Sequence, residues 1–234
     1  MRDVALPGLS PPRAGRDRAP LHLWAADLDA TDACELAASL SADERARAAR
    51  YRRPRDRQRF ERRRGWLRRI LGAYLGWPPG EVRLEYDAHG RPVVAGCGGP
   101  HFSLSHADGR VLCALAGGRR VGVDLVGARP GRGDDEVARA LFAPAEIAAL
   151  RALPPEARAP AFHRCWTRKE AYVKARGEGL ALPLDAFEVS LGPEPWTTLV
   201  RCALDPGERT RWGFLLLEPF AGYVGSVAIE LEAA

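Results

Sequence analysis

The sequence predicts an α+β fold made of two similar lobes. Stretches of period-two hydrophobic alternation are interleaved with long stretches of helical period, so neither an all-helical nor an all-strand architecture fits. Trp66-Leu-Arg-Arg69 is echoed by Trp166-Thr-Arg-Lys169, each on a long helical stretch followed by glycine. Two apolar strand-like runs, residues 21–26 and 121–126, each open a half. The expected division is a flexible tail over residues 1–20, an N-terminal lobe over 21–118 and a C-terminal lobe over 119–234. No short solenoid period is visible.

The elements follow in order. Residues 1–20 are rich in Pro, Arg and Gly and predict a loose tail. Residues 21–26 read as a strand and 31–40 as a helix. Ser41-Ala-Asp-Glu44 is a capping-box pattern that opens a second helix. Pro54 interrupts it, and a longer helix is expected over 56–75, with Phe60, Leu67, Ile70, Leu71, Tyr74 and Leu75 on its buried side. Val82, Leu84 and Tyr86 alternate, as do Phe102 and Leu104. Residues 111–116, the Gly117-Gly118 pair and residues 121–126 predict a hairpin. Helices are expected over 134–142, 144–151 and, after Pro154-Pro155, 160–176. Strands near 187–191, 198–204, 212–217 and 223–231 close the chain.

Bulk properties narrow the function. The 234 residues are 46% hydrophobic and 28% charged, an ordinary globular balance. No apolar run approaches the roughly 20 residues needed to cross a bilayer. Arg2, Asp3, Pro7, Pro11 and Pro12 stand where a signal peptide has its apolar core, so a cytoplasmic protein without membrane attachment is expected. Five cysteines, with no Cys-x-x-Cys pair, fit neither a disulfide framework nor a zinc site and predict buried free thiols. The net charge of +5 favours anionic partners. Of 35 basic residues only Lys169 and Lys174 are lysine. Drift toward arginine, as in a GC-rich genome, explains the majority and makes the two exceptions informative. A compact ammonium serves there in a way that a planar guanidinium does not.

Trp166, Lys169, Glu170, Val173 and Lys174 lie at offsets 0, 3, 4, 7 and 8, which is one helix face. A core stripe would be apolar; this one is half charged and predicts a polar cleft. Glu170 and Lys174 alone would read as an exposed i,i+4 pair worth ~0.3–0.5 kcal/mol. The lysine scarcity and the Gly177-Glu-Gly179 break that follows argue for a site with a flexible lip. On residues 121–126, Val121, Val123 and Leu125 share one strand face, while Gly122, Asp124 and Val126 share the other. An aspartate there needs either an arginine or a metal; two carboxylates beside phosphate oxygens suit Mg²⁺. In His101-Phe-Ser-Leu-Ser-His106, Ser103 and Ser105 oppose Phe102 and Leu104, and His106 ends the strand near any ligand.

Gly122-Val-Asp124, Phe102-Ser-Leu-Ser-His106 and Trp166-Thr-Arg-Lys-Glu-Ala171, continued by Lys174 and Gly177-Glu-Gly-Leu180, resemble the 4′-phosphopantetheinyl transferases of the surfactin-synthetase-activating type. Gly90-Arg91-Pro92 and Leu141-Phe142 with Glu146 add to the likeness, which spans residues 21–191. The resemblance implies two similar lobes in pseudo-twofold arrangement with the active site between them. It implies transfer of phosphopantetheine from coenzyme A to a serine of an acyl or peptidyl carrier protein, with release of 3′,5′-ADP. Carried over by position, Asp124 and Glu170 would hold Mg²⁺, and Glu170 would help deprotonate the serine. Lys174 would neutralise charge on the pyrophosphate, and Lys169 would join the residues that bind coenzyme A. Ser105, His106, Arg47 and Arg59 would meet the 3′-phosphate, and Gly90, Arg91 and Pro92 would border the adenine. A monomer is expected.

The family pattern is Asp-x-Glu, whereas here Val126 takes the second acidic place, so a water is expected in the metal shell and weaker metal affinity with it. Around residues 44–47 and 91 the family often carries lysine; here Glu44 reverses a charge. Two rivals stand beside this reading. Residues 45–69 hold thirteen arginines against Asp56 and Glu61, which could grip nucleic acid. Tyr51, Phe60 and Trp66 look like core positions rather than a stacking platform, so nucleic acid is not expected as a partner. The other rival is a catalytically silent carrier-binding protein, supported by Val126 alone.

Overall fold

A computed structural model describes residues 4–5, 21–30, 33–96, 99–129, 131 and 134–231. The chain forms strands β1 (Val4–Ala5) and β2 (His22–Asp27), then helices α1 (Ala33–Ala38), α2 (Ala42–Ala49) and α3 (Pro54–Leu75). Strands β3 (Leu84–Tyr86), β4 (Pro92–Val94), β5 (His101–Ala107), β6 (Arg110–Ala116) and β7 (Val121–Gly127) follow. Helices α4 (Asp134–Leu141), α5 (Pro144–Ala152) and α6 (Pro155–Arg176) come next. Then come β8 (Phe187–Glu188), β9 (Trp196–Thr198), β10 (Arg201–Cys202), the short α7 (Glu208–Arg211), β11 (Trp212–Leu217) and β12 (Tyr223–Glu230).

The expected α+β class is what the chain adopts. Two four-stranded antiparallel sheets, ordered β1-β2-β6-β5 and β7-β12-β11-β9, each carry a 22-residue helix. Three apolar layers result. On β6, Val111, Cys113 and Leu115 face α3 with Trp66, Leu67 and Leu71. Its other face, Leu112, Ala114 and Ala116, packs on Val121, Val123 and Leu125 of β7. Beyond β7 and β12, α6 buries Ala171, Tyr172 and Ala175 with Phe214 and Ala228. The alternation of buried side chains is thus read on both faces, as in a strand covered twice.

Several expectations need correction. Residues 111–116 and 121–126 do not form a hairpin. β6 pairs with β2 and β5, and β7 pairs with β12 in the other sheet. β6 is apolar on both faces and β7 on the face turned toward it, which lets the two stack face to face instead of edge to edge. The hairpin partner of β6 is β5, turned at Asp108 and Gly109, both at positive φ. Pro54 stands between α2 and the body of α3 as expected but is itself the first residue of α3, two residues earlier than expected, as its fixed φ and missing N–H permit at N1. Helix α6 begins at Pro155, and Pro160 lies inside its early turns, where one backbone hydrogen bond is forgone. The strand expected over 198–204 is two short ones, and α7 was not foreseen. Val4–Ala5 pairs with β2; the rest of the expected tail, and the Thr31 start of the first helix, lie outside the described residues. Cys113, Cys165 and Cys202 are buried free thiols, as expected.

Candidate active site

Asp124 stands on the face of β7 that looks toward α6. The approach of the two elements is fixed at Gly122, where an added Cβ would fall 2.0 Å from the carbonyl of Ala171. That closeness puts Lys174 one helical turn further on, against Asp124. Lys174 Nζ donates to Asp124 Oδ1 at 2.6 Å and to Ser105 Oγ at 3.2 Å. Ser105 Oγ donates to the same Oδ1 at 2.9 Å. Asp124 Oδ2 accepts no hydrogen bond from the described residues. The same holds for the carboxylate of Glu170, one turn before Lys174 on α6. Burial, and then the Asp124 charge, push the Glu170 pKa up, while Lys174 pulls the other way. Two carboxyl groups with uncommitted oxygens form a set of hard donors that suits Mg²⁺.

The cleft beside this centre is bounded by both halves of the chain. A cavity of about 260 Å³ is lined by Gly90, Arg91 and Pro92 of the β3–β4 hairpin, by Phe102 and Leu104, and by Val173, Lys174 and Gly177. Gly90 turns at φ 78°. Arg91 is steadied by Asp87 and lies against Gly177, where an added Cβ would sit 3.3 Å from its guanidinium. Gly177 caps α6 in the left-handed conformation, φ 73°. His106 lies exposed near the end of β5, close enough to Lys174 and Asp124 to feel their charges. Crowding by protein and then the Arg63 cation hold its imidazole down at about 4, so it is neutral at neutral pH.

The sequence profile of the 4′-phosphopantetheinyl transferase superfamily matches residues 120–228, which hold Asp124, Glu170 and Lys174. The chain is 40% identical over 214 residues to the 4′-phosphopantetheinyl transferase HetI of Nostoc sp., covering 89% of this chain and 87% of that protein. The chain belongs to the 4′-phosphopantetheinyl transferase superfamily. A 4′-phosphopantetheinyl transferase of Bacillus subtilis is 29% identical over 164 residues, 70% of this chain and 72% of its own length. Sfp of Bacillus subtilis strain 168 is 28% identical over 125 residues, 53% and 54% respectively.

In this transferase the expected site residues divide into those that meet and those that do not. Gly90, Arg91, Pro92 and Lys174 line one cavity, Asp124 is bonded to Lys174 at its edge, and Glu170 and His106 lie close enough to feel the charges of both. Lys169 does not join them. It is fully buried, bonded to Glu146 at 2.8 Å and to the carbonyls of Leu184 and Phe187, with the Phe187 ring centroid 4.3 Å away. Its three donors are used up in the core beside α5, so no proton of the ammonium remains for coenzyme A. Arg59 is committed to Asp29 and to the Asp108 carbonyl; the pair holds the Asp29 carboxyl well below the usual carboxylate range. Arg47 lies exposed, its guanidinium over the Phe60 ring and bordering a separate cavity with Arg50, Arg83 and Tyr86. Glu44 is not a reversed surface charge. It caps α2 through Ser41 and binds Arg64 at 2.7 Å and Arg68 at 2.6 Å in the core.

Arg63 is the cation that the sequence reading passed over. Burial first, and the nearby Arg64 and Arg47 cations after it, push its pKa down to about 10, against the pull of Tyr51. It stands beside His106 where Arg59 was expected. Within a run of thirteen arginines nothing in the sequence singles it out.

Proposed function

We propose that this transferase moves 4′-phosphopantetheine from coenzyme A to a serine of an acyl or peptidyl carrier protein, with Mg²⁺, releasing 3′,5′-ADP. The observation that carries the proposal is the meeting of Asp124, Glu170 and Lys174 at the edge of a cavity bordered by Gly90, Arg91 and Pro92. Phosphoryl-type transfer asks a protein for positioning and charge neutralisation more than for covalent chemistry. Asp124 and Glu170 would hold the metal, whose role when bound is to draw charge from the pyrophosphate. The raised pKa of Glu170 makes it a better base than a solvated carboxylate. It takes the proton of the carrier serine as that oxygen bonds to the β-phosphorus and the bond from that phosphorus to 3′,5′-ADP breaks. The Lys174 ammonium neutralises charge gathering on the leaving phosphate. Neutral His106, with Arg63 beside it, would face the anionic end of the nucleotide.

Part of the arginine run is committed to acids rather than free for a nucleic-acid backbone. Arg64 and Arg68 are buried on Glu44, Arg55 and Arg59 pair with Asp29, and Arg57 pairs with Glu61. No described helix is long and apolar enough to cross a membrane. The proposal takes the enzyme to act as a monomer in the cytoplasm. The test is intact-mass measurement of an apo carrier protein incubated with enzyme, coenzyme A and Mg²⁺. The expected result is a gain of one phosphopantetheine group, lost with Glu170→Gln. No gain across several carriers would overturn it.

A further inference from the structure

Ser105 sits on β5, in the other sheet from Asp124. Neighbouring β5 and β7 run side by side without a backbone ladder. Serine hydroxyls take its place: Ser103 Oγ accepts the N–H of Val123 at 3.0 Å, and Ser105 Oγ accepts that of Leu125 at 3.2 Å. Ser105 then does more than Ser103. Its hydroxyl also accepts from Lys174 and donates its only proton to Asp124 Oδ1. A hydroxyl has one proton and two lone pairs, so Ser105 is saturated. It has no proton left for a phosphate oxygen, which is the partner the family likeness implied. Both groups on Asp124 reach Oδ1, and neither reaches Oδ2.

We infer that Ser105 is a positioning residue for the transfer reaction. Held by Leu125 N–H, its hydroxyl fixes the rotation of the Asp124 carboxylate and, with Lys174, occupies Oδ1, so that Oδ2 is left uncommitted for the metal. With Val126 in place of an acid, the site has two carboxylates for this task, and the orientation of each weighs more. The side-chain orientation around a metal is commonly set by such supporting hydrogen bonds, and losing one costs about 10–100-fold in affinity. The inference rests on the metal-dependent reading above, and its test is separable from it.

The experiment is binding of Mn²⁺ alone to the coenzyme-free enzyme, followed by electron paramagnetic resonance. Ser105→Ala should weaken binding about tenfold or more. Ser105→Thr, which keeps the hydroxyl, should restore most of it. Ser103→Ala removes the neighbouring seam bond without touching Asp124 and should leave Mn²⁺ affinity unchanged. Should Ser105→Ala not fold, Ser105→Cys keeps the bulk with a weaker donor and should fall between alanine and threonine. In turnover assays the preference for coenzyme A over 3′-dephospho-coenzyme A should be the same in Ser105→Ala and wild type. Wild-type Mn²⁺ affinity in Ser105→Ala, an equal loss in Ser103→Ala, or a selective loss of the coenzyme A preference would each overturn the inference, as would absence of Mn²⁺ binding by the wild type. Mn²⁺ binding that follows these predictions in an enzyme that modifies no carrier protein would sink the transferase reading and leave the role of Ser105 standing.

Discussion

Lys169→Met separates a core strut from a substrate ligand. The ammonium lies fully buried with Glu146 at 2.8 Å, and that carboxylate also accepts the N–H groups of Ala143 and Val189. Burial already pushes the Glu146 pKa up against the pull of Lys169. Removing the cation leaves an uncompensated acid in the core and two carbonyls, Leu184 and Phe187, short of a donor. Breaking one partner of a buried pair costs about 3–5 kcal/mol. At roughly 2–4 °C per kcal/mol for a chain of this size, the melting point falls by about 6–20 °C. Thermal unfolding by circular dichroism measures this, and steady-state kinetics well below the melting point should show KM for coenzyme A within about twofold of wild type, a change under roughly 0.4 kcal/mol. An unchanged melting point with KM raised tenfold would refute the argument and return Lys169 to the residues that bind coenzyme A.

The remaining predictions concern the cleft. Glu170→Gln should lower kcat about 10²–10⁴-fold. It should also raise the melting point of the free enzyme at neutral pH: with its folded pKa above the unfolded value, Glu170 favours the fold while protonated and loses that contribution as pH rises through the folded pKa. A lower melting point would contradict this. Val126→Glu puts a third acid two residues beyond Asp124 on the same strand face, and the Mg²⁺ concentration for half activation should fall about tenfold, roughly 1.4 kcal/mol; an unchanged requirement would count against a two-carboxylate site. His106 should titrate at about 4 by NMR in the free enzyme, and higher in Arg63→Met. Its contribution to stability is present above the unfolded value near 6.5 and is lost as pH falls toward 4, so Arg63→Met should soften acid unfolding in that window. A midpoint near 6.5 in the wild type would show that neither crowding nor Arg63 acts on it.

The helices were legible because each carries its own period and caps; the Ser41–Glu44 box and the Gly177 stop are where the sequence puts them. The face split of β7 was legible too, since a period of two places Asp124 opposite Val123 whatever the sheet. Strand pairing was not. The β6 and β7 runs look like hairpin partners because proximity in sequence is the strongest local cue, whereas the choice of β12 over β6 is made by packing far along the chain. The scarcity of lysine marks positions 169 and 174 but does not separate their roles. A compact ammonium is needed at both positions, but at 169 the reason is a slot between the Phe142 and Phe187 rings, and at 174 it is a carboxylate in a cleft. Helical spacing puts both on one face and cannot tell a face that is half core from one that is all cleft. The echo of Trp66 and Trp166 marks a shared device: Glu44 holds Arg68 as Glu146 holds Lys169, and Arg68 and Arg168 each tie down carbonyls of a later loop.

The serine-mediated seam between β5 and β7 gives Asp124 two unlike neighbours. On one side a full ladder to β12 sets where the strand lies; on the other, single hydroxyls set how its acid is turned. Location and orientation are thereby controlled from separate parts of the chain. The reaction centre can be retuned from the N-terminal half by adding or deleting one oxygen atom, with the strand that bears the acid left as it is.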